Sequence, residues 1–268
     1  MRLDWGVVRI ALYQFAPMFG RKQANLARVS DALNGVRADI VILPELFSTG
    51  YCFRSQSDVK AQAENLQDGP TSGFLRAVAR RLGAAVVAGV AESDGRGLFN
   101  SCLSVLPDGN SFTYRKIHLF DKEKQHFDAG SEPPQAWEFR GARIGTMVCF
   151  DYFFPELART LALSGAQVIC HPANLVLHYA QQITVTRALE NRVFWALCNR
   201  VGFEEGYGRR LTFTGQSQLV NPSGELLFRA GSEEEALQII EINPTDADCK
   251  IVGNNDPFQD RRPDTYRI

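Results

Sequence analysis

Three side chains that can do chemistry stand at the ends of apolar runs: Glu45 in VILPELFSTGY, Lys116 in FTYRKIHLF and Cys149 in IGTMVCFDYFFPE. A strand that ends in a loop aims its last residues rigidly and leaves room for a substrate, so reactive groups are favoured there. A carboxylate at such a point loses hydration and becomes a better proton acceptor near neutrality. A lysine between aromatic and aliphatic residues supplies a fixed positive charge, able to stabilise an oxyanion or to hold a neighbouring thiol as thiolate. At a strand-to-helix turn, with Asp151, Pro155 and Glu156 leading into the helix, a cysteine presents its sulfur while backbone N–H groups face developing negative charge. Taken singly, each residue also fits an ordinary role. Glu45 can be a solvated or capping carboxylate, Lys116 a snorkelling strand-edge amine, and Cys149 a buried structural thiol. Cys170 and Cys198 share the apolar setting without the turn, and read as structural thiols.

The elements that must position these groups follow from the pattern. Residues 7–15 mix β-branched and aromatic side chains and predict a strand. A helix follows over 21–35, with Leu26, Val29 and Leu33 at helical spacing and Gly35 as its stop. The run ADIVILPEL predicts a strand buried on both faces. Residues 71–82 read as helix and 84–91 as strand. Between 101 and 115, Pro107-Asp108-Gly109-Asn110 predicts a hairpin turn. The second half echoes the first: strand over 143–150, helix over 156–164, strand over 166–171, with AQVICHPANL resembling ADIVILPEL. Two strand–helix–strand copies point to a pseudo-symmetric sandwich. Residues 181–198 read as one long helix, 212–227 as two strands joined by Asn221-Pro222-Ser223-Gly224, and 235–241 as a last strand. No linker or compositional shift divides the 268 residues, so one domain is expected.

Composition removes several function classes. With 45% hydrophobic and 22% charged residues the chain is expected to fold on an ordinary core. Lys plus Arg total 29 against 30 Asp plus Glu, without the basic excess of a nucleic-acid binder. Six cysteines form no C-x-x-C pair, and the four histidines form no H-x-x-x-H or H-E-x-x-H spacing, so no metal and no other cofactor is expected. Gly206-x-Gly208 lacks the third glycine of a dinucleotide loop. No run is apolar enough to span a bilayer, and Asp4 and Arg9 interrupt any secretory segment; a cytoplasmic protein without a membrane partner is the expectation.

In combination, LPELFSTGY, YRKIHLF followed by FDAG, CFDYFFPELARTLALSGA, HPANL and RALENRVFW resemble the nitrilase superfamily of carbon–nitrogen hydrolases, in the same order from about Ile10 to the tail. The resemblance implies a four-layer α-β-β-α sandwich, commonly paired into a homodimer, and a Glu–Lys–Cys triad that lands on Glu45, Lys116 and Cys149. It also places a second glutamate at Glu123, to orient substrate, lysine or water. Cys149 then attacks a small amide or nitrile, Glu45 carries the proton, and Lys116 with the Phe150 N–H stabilises the charge that develops. Tyr51, Phe120, Phe150, Tyr152 and Asn174 are expected to close the pocket. Asp151 in Cys-Phe-Asp looks more like amidase members, which favours an amide. A Cys–His dyad using His126 or His171, a silent scaffold of the same fold, and acyl transfer to an amine are the rival readings. The segment 254–268 reads either as a dimerisation arm or as a frayed end.

Overall fold

Side chains of the first strand, β1 (Val8–Gln14), divide between two cores: Ile10 and Leu12 point one way, Ala11 and Tyr13 the other. This period of two decides the layering, because both faces of the strand must be covered by apolar partners. In the computed structural model, which describes residues 6–206 and 208–266, the first half continues through α1 (Lys22–Ala32), β2 (Ile40–Ile42), α2 (Gln56–Gln62), α3 (Pro70–Leu82), β3 (Ala85–Ser93), β4 (Leu98–Val105) and β5 (Ser111–Arg115). The second half runs through β6 (Trp137–Phe139), β7 (Ala142–Thr146), α4 (Pro155–Leu163), β8 (Val168–Pro172), α5 (Ala180–Asn191), β9 (Phe194–Cys198), β10 (Phe203–Gly206), β11 (Arg209–Thr212), β12 (Gln218–Val220), β13 (Leu226–Arg229) and β14 (Ala236–Ile242).

Two six-stranded sheets result, ordered β14-β1-β2-β3-β4-β5 and β13-β12-β9-β8-β7-β6. In each, a central parallel trio (β1-β2-β3 and β7-β8-β9) is flanked by antiparallel strands. Ile10, Leu12, Ile42 and Val87 share one core with Ile144, Val168, Cys170 and Ala196 between the sheets. Ala11, Val41 and Val86 share a second core with Leu26 and Val29 of α1 and Leu75 and Val78 of α3. Each such aliphatic side chain contributes about 1.5–3 kcal/mol by leaving water. Helices α4 and α5 cover the other sheet, so the architecture is the expected α-β-β-α sandwich.

Some boundaries differ from the sequence reading. The helix expected over 181–198 stops at Asn191; Arg192 adopts a left-handed conformation, φ 50°, and Phe194–Cys198 becomes β9. Phe and Trp suit a buried strand, and no glycine or proline marked the break. Instead of running to 150, the strand expected from 143 ends at Thr146, and the chain turns at Cys149. Of the 212–227 segment, β12 and β13 form the hairpin while residues 213–217 are irregular. Helix α2 and the β10–β11 hairpin had no sequence counterpart. Residues 267–268 of the tail lie outside the described residues; within it, Phe258 packs between Arg159, 4.8 Å from its ring centroid, and Lys250, at 4.9 Å. Among the described residues no helix is long and apolar enough to cross a membrane.

Candidate active site

Glu45 stands just beyond β2, after Leu43 and Pro44, and the loop carrying it packs onto β3. A Cβ on Gly89 of β3 would lie 2.3 Å from Glu45 Cα, so only glycine lets the two backbones approach this closely. Glu45 Oε1 accepts from Lys116 Nζ at 2.8 Å and from Asn100 Nδ2 at 2.7 Å. Its other oxygen, Oε2, is buried and has no protein partner among the described residues. Lys116 leaves the end of β5, with its N–H bonded to the Asn100 carbonyl, and is fully buried. Nζ also meets both oxygens of Glu123, at 2.9 and 2.7 Å. Glu123 in turn accepts from the Tyr51 hydroxyl at 2.8 Å and the Phe120 N–H at 3.2 Å, which occupies both its oxygens. Burial alone would depress the ammonium, but the carboxylates of Glu123 and Glu45 hold the Lys116 pKa well above its usual value. Burial, with Glu45 nearby, pushes Glu123 upward against the pull of Lys116.

Cys149 opens the single 3-10 turn that joins β7 to α4, with φ 45° in the left-handed region. Asp151 staples this turn. Its Oδ2 accepts from the Val148 N–H at 3.0 Å and the Tyr114 hydroxyl at 2.8 Å, and its Oδ1 from the His118 N–H at 3.1 Å, with His118 Nδ1 at 2.9 Å. Tyr114 and His118 flank Lys116, so one buried carboxylate ties the lysine segment to the cysteine turn. The sulfur lies within the electrostatic reach of Glu45, Lys116 and Glu123, and the Asn174 N–H points at it. Burial first, then the Glu45 charge, pushes the thiol well above its usual pKa, and the Lys116 ammonium does not reverse this. Desolvation and the Glu45 charge thus favour the thiol over the thiolate.

Cys149 nonetheless lines a small, open, apolar cleft. Phe120, Phe150, Tyr152 and Asn174 line it as expected, joined by Leu175, Val176 and Leu177. Tyr51 does not line it. Glu204 takes the Tyr51 and Cys52 N–H groups at 3.0 and 2.7 Å and is itself paired with buried Arg200, which turns the tyrosine hydroxyl onto Glu123. A wider groove elsewhere, along β5 and residues 131–137, holds Glu92 and Arg115, but these are spent on each other. Among the described residues no three His, Cys, Asp or Glu side chains are grouped to hold a metal ion. His171 contacts the Cys149 carbonyl rather than its sulfur, which removes it from the dyad reading.

A family model described as carbon–nitrogen hydrolase matches residues 9–248. The chain belongs to the carbon–nitrogen hydrolase family. A Pyrococcus abyssi protein named nitrilase is 41% identical over 264 residues, covering 97% of this chain and 99% of that one. Among solved structures, a CN-hydrolase superfamily protein of Xanthomonas campestris aligns with TM-score 0.81 at 30% identity over 90% of this chain and 92% of its own. An amidase from Nesterenkonia sp. aligns with TM-score 0.80 at 27% identity over 98% and 97%.

In this carbon–nitrogen hydrolase, sequence reasoning missed several groups that shape the site, Asn100, Gly89, Glu204 and Arg200, and it weighed His171 only as a rival base. An asparagine inside the apolar strand SCLSV's approach and a fully buried arginine each offered a faint signal, since buried polar groups need partners. The partners themselves lie far along the chain, 55 residues for Asn100 and Glu45, and no local pattern names them.

Proposed function

We propose that the protein is a cysteine hydrolase of non-peptide carbon–nitrogen bonds, converting a small amide to a carboxylic acid and ammonia through a thioester on Cys149. The observation that carries this reading is the unpartnered Oε2 of buried Glu45, whose charge acts on a Cys149 thiol that opens on an apolar cleft. Cys149 adds to the amide carbon as its proton passes to Glu45, and the carbonyl pair becomes an oxyanion facing Lys116 and the Phe150 N–H. Glu45 returns the proton to the amide nitrogen, the C–N bond breaks and ammonia leaves. Water then attacks the thioester, gives a proton to Glu45 and frees the acid, and Glu45 restores the thiol. Glu123 has no vacant oxygen, and its part is to hold Lys116. The apolar walls favour an uncharged acyl group, and the Asn174 side chain and Tyr152 hydroxyl, without protein partners among the described residues, are left for substrate or water.

A nitrile is the second reading, favoured by the name of the Pyrococcus relative; it passes through a thioimidate and uses water twice. Ammonia release over a panel of small amides, carbamoyl compounds and nitriles, with mass spectrometry of the Cys149 peptide, tests both. An acyl adduct on Cys149 and amide turnover lost in Cys149→Ala are expected. Turnover surviving in that variant refutes the proposal. A homodimer is part of the same proposal. Helices α4 and α5 pack side by side and carry outward Leu163 and Leu189, close to half exposed.

A further inference from the structure

His171 stands on β8 between β7, which leads into the Cys149 turn, and β9, which carries Trp195, and its ring links the turn to β9. Its Nε2 lies 2.8 Å from the Cys149 carbonyl oxygen. On the other side Trp195 Nε1 lies 3.1 Å from Nδ1. The indole nitrogen can only donate, so Nδ1 accepts and the proton sits on Nε2, which donates to the carbonyl. Burial pulls the ring's pKa down to about 4, so it stays neutral at ordinary pH. Neither nitrogen is free to take the thiol proton.

The Cys149–Phe150 peptide is trans, as every described peptide bond is, so its carbonyl and its N–H point in opposite directions. We propose that His171 is a positioning residue for the oxyanion donor: by drawing the Cys149 carbonyl into the core, it turns the Phe150 N–H toward the cleft. The left-handed backbone at Cys149 is a conformation that a non-glycine residue keeps only when its surroundings hold it. Asp151 holds the turn at Val148, and His171 holds it at the carbonyl. This inference rests on the proposed function, since an oxyanion forms only if Cys149 adds to an unsaturated carbon.

Two probes separate the role from general distortion. Propionaldehyde adds to Cys149 with formation of an S–C bond; the carbonyl pair becomes an oxygen anion, which then takes the thiol proton as a hemithioacetal. Iodoacetamide alkylates the same sulfur with loss of iodide, and no charge develops on an oxygen in the donor's path. In His171→Leu, kcat for the best amide and the affinity for propionaldehyde are expected to fall about tenfold or more, with KM and the iodoacetamide rate within about twofold of the wild type. His171→Gln, whose side-chain amide can donate over a similar reach, is expected to recover most of the loss. Unchanged aldehyde affinity in His171→Leu overturns the proposal, and so does a parallel loss of iodoacetamide reactivity. If His171→Leu does not fold, Trp195→Phe releases the tautomer and is expected to lower kcat and aldehyde affinity together; no change in either overturns the proposal. A wild-type protein that releases no ammonia from any amide or nitrile and takes up no aldehyde refutes the functional reading instead, a result distinct from an active wild type with an unaffected variant.

Discussion

At Glu45 the two carboxylate oxygens are not equivalent: one is fixed by Lys116 and Asn100, the other is vacant. The vacancy and the raised thiol pKa belong together, because a buried thiol needs an acceptor at the moment it attacks and not before. Replacing Glu45 with Gln therefore has two opposite consequences. Turnover of the best amide is expected to fall by about 100-fold or more, since no group can shuttle the proton. The Glu45 charge is also a cause of the raised thiol pKa, while Lys116 acts to lower it, so its removal increases the thiolate fraction, and iodoacetamide alkylation near neutral pH is expected to speed up. If alkylation slows together with turnover, Glu45 is not raising the thiol pKa. In the wild type, alkylation is expected to climb with pH beyond neutrality without the early plateau of a thiolate–ammonium pair, and stopped-flow rates across pH read this directly. Glu45, Lys116 and Cys149 stood out in the sequence at the ends of strand-like runs, but the resemblance to the nitrilase superfamily is what joined them as a triad. Asn100 did not stand out, and His171 was named only as a rival base, because an asparagine or histidine within a strand shows its role only when the register supplies its partner.

One methyl group on β3 tests how elements place these side chains. Gly89 Cβ would meet Glu45 Cα at 2.3 Å and Leu46 N at 2.8 Å, and backbone atoms cannot swing aside as a flexible side chain can. Gly89→Ala is expected to cost about 1–3 kcal/mol or more through overpacking and to lower kcat by moving Glu45, measurable by calorimetry and by ammonia release. Wild-type kcat in a folded Gly89→Ala protein would show that the position of Glu45 is not critical. Asp151 is the equivalent joint between β5 and the cysteine turn. Asp151→Asn replaces an acceptor oxygen by a donor facing other donors, and is expected to destabilise the fold by about 2–4 kcal/mol, with kcat reduced because the Lys116 and Cys149 segments lose their tie. Equal melting temperatures for the two proteins would deny the tie. At this scale the sequence was readable where a turn residue marked the boundary, as with Gly35 after α1 and Gly109 between β4 and β5. It was misread at 181–198, where Arg192 takes the left-handed position usually given to glycine and an apolar FWALC continues a helical pattern equally well.

For the molecule as a whole, the two sheets have one topology: an antiparallel edge strand, three parallel strands, then two antiparallel strands, in β14-β1-β2-β3-β4-β5 and again in β6-β7-β8-β9-β12-β13. The resemblance of ADIVILPEL to AQVICHPANL was the visible edge of this repeat, since β2 and β8 occupy the same place in their sheets. Carried one element further, it assigns β9 to the position of β3, the strand that periodicity alone took for helix. The repeat also predicts helical cover on both outer faces, and here the halves differ. The sheet on α1 and α3 closes over its own core, whereas α4 and α5 leave Leu163 and Leu189 at 45% and 46% exposure, with Phe153 and Tyr179 close in sequence to these helices at 45% and 46%. Apolar side chains at this density on neighbouring helices are costly to keep in water, and a second copy meeting them about a twofold axis would cover the patch with the same patch. Light scattering at micromolar concentration is expected to give twice the chain mass, and Leu163→Glu combined with Leu189→Glu to give the single-chain mass with the fold retained. Because association stabilises the folded state by mass action, the melting temperature of the wild type is expected to rise with concentration and that of the double variant to stay constant. A wild type that melts independently of concentration and scatters as one chain leaves the α4–α5 face to solvent and removes pairing from the proposal.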